Sequence, residues 1–253
     1  MTKHVLVIGI GPGDPSQVTM QAIEAMRCVD VFFVPAKRAE TADLVRLRRE
    51  ICARYLDHSY RIVQIPDPER DRTDPDYQGA VVAWHAARAE RYGQAIDSDL
   101  GPDGCGAFLV WGDPSLYDST IRILEQVAAA NPGTFDIRVI PGITSVQALA
   151  ACHRMPLHGI GEAVHITTGR RLVDEGWPPG VDNVVVMLDG NAAFTTLDED
   201  VDVFWGAYVG TPAEIAVSGR LRHVAEEIHR RRTEAREENG WILDIALLRR
   251  RHD

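Results

Sequence analysis

VLVIGIGPGDPSQVT, Val5 to Thr19, is the stretch from which the fold can be read. Val5 to Ile10 is a continuous apolar run, the pattern of a strand covered on both faces. Alternating glycines follow at Gly9, Gly11 and Gly13, and then Asp14 and Pro15, so the strand ends in a tight turn. From Val18 to Cys28 the apolar residues Val18, Ala22, Ile23, Ala25 and Met26 return at helical spacing. Two later stretches repeat this order: AFLVWGDPSLYDST, Ala107 to Thr120, and IRVIPGITSVQALA, Ile137 to Ala150. Each reads as a buried strand, a turn and a helix start. In open α/β sheets such turns lie at the carboxyl ends of strands, where ligands bind.

Working outward, strands are expected at Val29 to Val34, Tyr60 to Ile65, Ala107 to Trp111 and Phe135 to Ile140. Helices are expected at Ala42 to Leu56, Ala80 to Asp97 and Ser119 to Ala130, the last with Ser119 as its N-cap. This alternation predicts a parallel α/β layout. Asp67 to Tyr77 is charged and broken by prolines, and reads as a surface loop. Asn131-Pro132-Gly133 is a break, and strands outnumber helices after it: Ala163 to Thr167, Asn183 to Leu188, Val203 to Tyr208 and Trp241 to Leu248, with a helix over Pro212 to Arg232. Two α/β domains are therefore expected, residues 1–131 and residues 132–253, the second with a mixed sheet.

The chain has 253 residues and a net charge of -10, from 27 basic and 37 acidic residues. Nucleic-acid surfaces usually show a basic face, so this balance weighs against one. Cys28, Cys52, Cys105 and Cys152 form no CxxC pair, which leaves a zinc site without support and reads as free thiols in a reducing compartment. No apolar run approaches the ~20 residues of a membrane span. The N-terminus enters a strand with no leader pattern, and a cytoplasmic protein is expected.

The turns also carry charge. Gly9 and Gly11 fit the start of a dinucleotide fingerprint, and Asp30 sits where a ribose-binding acid would. The third glycine is missing: position 14 is Asp14. Pro12 and Pro15 remove amide donors, and Asp14 would repel a pyrophosphate. The second turn again places an acid, Asp113, where a phosphate needs donors. Acidic, carbonyl-rich loops suit ammonium, sulfonium or hydroxyl groups. Asp113 can equally do no more than close an Asp-Pro turn. Thr144 or Ser145 can cap the third-turn helix, and the same amides can hold a carboxylate.

GxGPGDPxxxT, the GDP turn at residue 113 and PGITS about thirty residues later resemble, in order and spacing, the tetrapyrrole methylases. The resemblance covers nearly the whole chain. It implies two α/β domains with the active site in the cleft between them, the first on the substrate side and the second sharing the cofactor. It implies S-adenosylmethionine as cofactor, S-adenosylhomocysteine as product, a precorrin substrate and a homodimer. WGDPSLYDST, VVVMLDGNAAF and WGAYVGTPAEI are most similar to a member that methylates carbon 1 of precorrin-5 and releases acetate. Another precorrin or uroporphyrinogen III C-methyltransferase is the nearest alternative. A nicotinamide oxidoreductase and a non-catalytic binding protein stand as other classes.

By the same resemblance Pro12 lies near the cofactor, Gly112, Asp113 and Leu116 touch it, and Thr144 and Ser145 match the PGxTS pair. A late strand that often ends Tyr-Met-Gly corresponds to Met187-Leu188-Asp189. The chain departs from the pattern there, so Met187 or Leu188 fills that contact. A backbone contact to adenine falls at Ala207 or Tyr208. Methyl transfer from a sulfonium needs alignment rather than a nucleophilic side chain, but deacetylation needs an activated water and gains from a general base. Asp14 and His58 are the candidates, with Tyr117 as a donor; capping, a solvated turn and simple packing are their respective bland roles. Lys37 and Arg38, just past a strand, are the candidate partners for substrate carboxylates. Arg46, Arg48 and Arg49 read as a solvated helix face, and His153 and Arg154 are further candidates for substrate contact.

Overall fold

The computed structural model describes residues 2–36, 42–69 and 76–251. The chain forms two units: Met1–Gly11 with Pro15–Ile143, and Pro12–Asp14 with Thr144–Asp253.

The first unit holds β1 (Lys3–Gly9), β2 (Val31–Ala36), β3 (Arg61–Pro66), β4 (Cys105–Val110) and β5 (Phe135–Ile140). They form one sheet in the order β3-β2-β4-β1-β5, every pair parallel. α1 (Met20–Met26), α2 (Ala42–Tyr55), α3 (Tyr77–Asp99) and α4 (Thr120–Ala130) connect the strands. Successive strand side chains point to opposite faces. Leu6 and Ile8 accordingly pack with Ala22, Ile23 and Met26 of α1 and Ile51 of α2, while Val5 and Val7 pack with Tyr92 of α3 and Ile123 and Leu124 of α4. This two-sided burial is why β1 is apolar throughout; each such side chain contributes about 1.5–3 kcal/mol.

The sheet order places β4, β1 and β5 side by side, so the three glycine turns follow three adjacent strands. The chain leaves β1 towards β2 and leaves β4 towards β5, in opposite directions across the sheet. The crevice at their carboxyl ends is therefore a topological switch point, the usual ligand position in such sheets.

The second unit contains α5 (Ser145–Cys152), β6 (Val164–Thr168), α6 (Gly169–Glu175), β7 (Asn183–Met187), β8 (Val201–Ala207), β9 (Ile215–Arg220), α7 (Leu221–Asn239) and β10 (Asp244–Arg250). Its sheet runs β6-β7-β10-β8-β9, with β6 and β7 parallel and the other pairs antiparallel. Val184, Val186, Val203, Trp205, Ala246 and Leu248 form the core with Leu221, Ile228 and Ala235 of α7. The expected mixed sheet is present.

Three expectations are corrected. The boundary near residue 131 moves to Ile143, because β5 pairs with β1 from Lys3↔Phe135 to Ile8↔Ile140; Asn131-Pro132-Gly133 is only the link from α4 to β5. The helix expected over Pro212 to Arg232 is instead β9 followed by α7. The β8 ladder captures Ile215–Arg220 as an edge strand, with Val217 turned into the core. Ser119 holds the N-cap position of α4, its carbonyl accepting the Ile123 amide (3.0 Å), but the expected side-chain cap is absent: Asp118 accepts the Thr120 amide (2.7 Å), and Ser119 Oγ accepts from Arg88 (3.1 Å).

Candidate functional site

Backbone builds the centre of the first unit's site. Gly112 donates its amide to Gly11 O (2.9 Å), and Gly11 returns one to Gly112 O (3.3 Å), pinning the first turn to the second. Both glycines have left-handed backbones, φ +79° and +68°, which other residues adopt only with strain. Gly9 and Gly142 lie in direct backbone contact. A Cβ on Gly142 would press on Gly112 O and come within 2.9 Å of Gly9 Cα.

Asp113 completes the knot. Its Oδ2 accepts the Gly142 amide at 2.8 Å, joining the second turn to the third. Its Oδ1 accepts the Ser115 amide at 2.8 Å and the Ser115 hydroxyl. Burial alone would raise this carboxyl; the Ser115 and Gly142 hydrogen bonds outweigh it and hold the pKa below the ordinary carboxylate value. Asp113 is thus a brace between turns, a role between the two that the sequence left open.

Leu116 follows half-buried, its amide on Asp113 O at 3.2 Å. Tyr117 is 45% exposed and has a left-handed backbone, φ +52°. That strain marks residues 112–117 as a specialised turn rather than a relaxed loop. His58 lies elsewhere. It sits just before β3, and its Nε2 bonds Val29 O, just before β2, at 3.0 Å. Both positions are at the amino edge of a parallel sheet, opposite the turns, so His58 is corrected to a structural residue. Lys37 and Arg38 lie outside the described residues.

The second unit includes Pro12 and Gly13, both buried, and half-buried Asp14. Gly13 packs on Thr211 so closely that a Cβ would collide with Thr211 Cγ2. Asp14 stands directly before a 3-10 turn at Pro15–Gln17, and α1 is capped instead by Thr19, whose Oγ1 accepts the Ala22 amide (3.1 Å). Thr144 caps α5: its Oγ1 accepts the Val146 amide (3.1 Å), and Gln147 Oε1 accepts the Thr144 amide (3.0 Å). Ser145 opens α5, half-buried.

Met187 ends β7 and is half-buried, whereas Leu188 is 61% exposed with a left-handed backbone, φ +51°. Ala207 ends β8, flanked by Asp244 and Ile215, and its side chain is buried. Tyr208 is also left-handed, φ +51°. Its ring points into the core, where the carbonyl oxygens of Ala235 (3.1 Å) and Trp241 share its single hydroxyl proton, so only its backbone is available to a ligand.

Sequence reasoning missed several charged residues. Arg48 is not a solvated helix residue: its Nε donates to Leu109 O at 2.9 Å. Arg88, 5% exposed, pairs with Asp67 (2.6 Å), donates to Ser119 (3.1 Å) and stacks over Trp84 at 4.2 Å. Arg232 and Asp244 form a buried pair at 2.9 Å. Each arginine lies on a helix, and nothing in its local sequence announces an inward turn. Among the described residues no group of three or more His, Cys, Asp or Glu could hold a metal ion.

The family model for Tetrapyrrole (Corrin/Porphyrin) Methylases matches residues 4–225. A precorrin-6A synthase (deacetylating) of a Sinorhizobium species is 49% identical over 253 residues, 99% of this chain and 97% of the relative. A precorrin-2 C(20)-methyltransferase from Sinorhizobium is 29% identical over 159 residues, 61% of this chain and 59% of the relative. The crystal structure of a cobalamin synthesis related protein (CobF) from Corynebacterium diphtheriae has a TM-score of 0.85 at 37% identity, covering 98% of this chain and 99% of that one. A uroporphyrin-III C-methyl transferase from Thermus thermophilus, complexed with S-adenosyl homocysteine, shares the fold: TM-score 0.57, 18% identity, 97% and 96% coverage.

Proposed function

We propose a function from one premise: the chain belongs to the tetrapyrrole (corrin/porphyrin) methylases, a family of methyltransferases. The reaction is transfer of a methyl group from S-adenosylmethionine to carbon 1 of precorrin-5, with release of acetate, giving precorrin-6A. The end-to-end 49% identity to a precorrin-6A synthase carries this reading.

The turn chemistry fits the cofactor. The Gly142 amide is occupied by Asp113 (2.8 Å), and prolines at 12 and 15 carry no N–H, so a pyrophosphate finds no cradle. The same carboxylate, held ionised, suits a ligand bearing ammonium and sulfonium charge. This is also why a nicotinamide dinucleotide does not suit the site. S-adenosylmethionine, when bound, supplies the electrophilic methyl group.

The protein's part is orientation, which can supply up to about 7–11 kcal/mol in favourable cases. We assign cofactor contact to Pro12, Gly112, Leu116, Thr144, Ser145, Met187 and Leu188, and to the backbone of Ala207 and Tyr208. Asp113 contributes by fixing the second and third turns. For deacetylation, Asp14 takes a proton from a water as it adds to the acetyl carbonyl. The bond from that carbon to the ring then breaks, its electron pair stays with the ring, and acetate leaves. Tyr117 stands as the donor to the carbonyl oxygen, and Lys37 and Arg38 as partners for substrate carboxylates.

A homodimer and a cytoplasmic location belong to the same proposal. Among the described residues, no helix is long and apolar enough to cross a membrane. The test is incubation with precorrin-5 and S-adenosylmethionine, read by mass spectrometry with acetate measured separately. One methyl gained and the acetyl group lost is the expected result. Methylation without acetate would move the chain to another member activity of the family.

A further inference from the structure

We infer that Arg232 and Asp244 are positioning residues for the cofactor, a buried pair that sets the two left-handed turns after β7 and β8. The inference rests on the reading that these turns, at Leu188 and Tyr208, face S-adenosylmethionine.

β7 and β8 run in the same direction on either side of antiparallel β10. Their carboxyl ends therefore flank the start of β10, where Asp244 lies opposite Ala207 and Ile245 opposite Met187. Each end carries a non-glycine residue in the left-handed region, which is strained for a residue with a Cβ and needs outside support.

That support comes from α7. Arg232 Nη2 donates to Asp189 O (2.9 Å) and Gly190 O (2.8 Å), the two carbonyls after Leu188. Its Nε donates to Asp244 Oδ2 (2.9 Å), which also accepts Trp205 Nε1 (3.0 Å). The Asp189 carboxylate folds the same turn from within, accepting the amides of Asn191 (3.3 Å) and Phe194 (3.1 Å). On the other side, the Tyr208 amide donates to Leu243 O (2.9 Å), next to Asp244, and its hydroxyl donates to Ala235 O, one turn beyond Arg232 on α7.

Arg232 and Asp189 are each 7% exposed. Burial pushes the Asp244 carboxyl above its ordinary range, against the pull of Arg232 and the Trp205 indole. Buried ion pairs are poor sources of stability and are best attested where they fix a register. Here the register is the relative height of two turns whose backbones meet one ligand.

The experiment compares wild type with Arg232→Lys and with the charge-free double variant Arg232→Met/Asp244→Asn, which avoids a lone buried charge. Calorimetry with S-adenosylhomocysteine should show affinity in the folded double variant down on the order of 10- to 100-fold. KM for S-adenosylmethionine should rise in step, with kcat at saturation nearly unchanged. Arg232→Lys should recover part of the loss. In the wild type, S-adenosylhomocysteine should protect the amides of residues 187–191 and 207–211 from hydrogen exchange.

Unchanged affinity in the folded double variant overturns the inference. If the variant does not fold, absence of that protection in the wild type overturns it equally. A wild type that binds no S-adenosylhomocysteine would instead sink the functional reading beneath it.

Discussion

The Gly142 amide points at Asp113 Oδ2 from 2.8 Å, so one carboxylate links two turns that are 29 residues apart in sequence. Removing it leaves two amides, of Gly142 and Ser115, without their acceptor. Asp113→Ala should destabilise the protein by about 1–3 kcal/mol, the cost of orphaned donors. It should also weaken S-adenosylhomocysteine binding.

The pH dependence of that loss has a definite sign. The folded pKa of Asp113 is depressed, so its contribution is present above the unfolded value, about 3.9, and is lost as pH falls through the folded value. Denaturant midpoints of wild type and Asp113→Ala should differ by a constant amount from pH 5 to 8. The gap should close only in acid below the ordinary aspartate range. A gap that closes near pH 6 would show that another group is responsible.

Gly142→Ala tests the backbone packing itself. The added methyl meets Gly112 O and lies 2.8 Å from Gly9 C, all main chain with no flexible end to yield. A loss of about 3 kcal/mol is expected, a fall in Tm of roughly 6–12 °C. Gly101→Ala, where nothing lies within 4 Å, is the control and should leave Tm nearly unchanged.

Asp14→Asn separates chemistry from binding. α1 is capped by Thr19, so the change should spare that helix. Turnover with acetate release should fall by 10²–10⁴-fold if Asp14 is the base, a typical range for such catalysis. Affinity for S-adenosylhomocysteine should hold. Full activity would remove Asp14 from the mechanism.

The cysteines should sort by environment. Burial pushes Cys52 up to about 12 and Cys105 and Cys152 up to about 11, the last also raised by Glu214. Cys28 is exposed. Alkylation at pH 8 should label Cys28 first and the other three far more slowly, since the thiolate is the nucleophile. Peptide mapping reads this directly, and rapid labelling of Cys52 would contradict its burial.

What could be read from the residues follows from whether the signal was local. β1 announced itself because both faces are buried, and the three turns because glycine and proline constrain the backbone where they stand. β9 did not, since an edge strand owes its conformation to the β8 ladder rather than to its own pattern. The boundary slipped because pairing of β5 with β1 joins residues more than a hundred positions apart. Arg48, Arg88 and Arg232 were illegible for a related reason. Their partners come from other elements, and a helical arginine looks the same facing water or a carbonyl. Asp113 was legible as a turn residue, but its bond to Gly142 was not.

The placement of Pro12–Asp14 in the second unit has a consequence for dissecting the chain. That unit is not one contiguous piece: three of its residues are encoded more than 120 positions before the rest. A fragment starting at Thr144 would leave Thr211 without Gly13 against it. Cutting at residue 131 would also strip β5 from the first sheet. Halves of this protein therefore cannot be exchanged as cassettes with those of a relative unless the donor supplies its own first turn, which makes the GPGD segment a compatibility lock on domain shuffling.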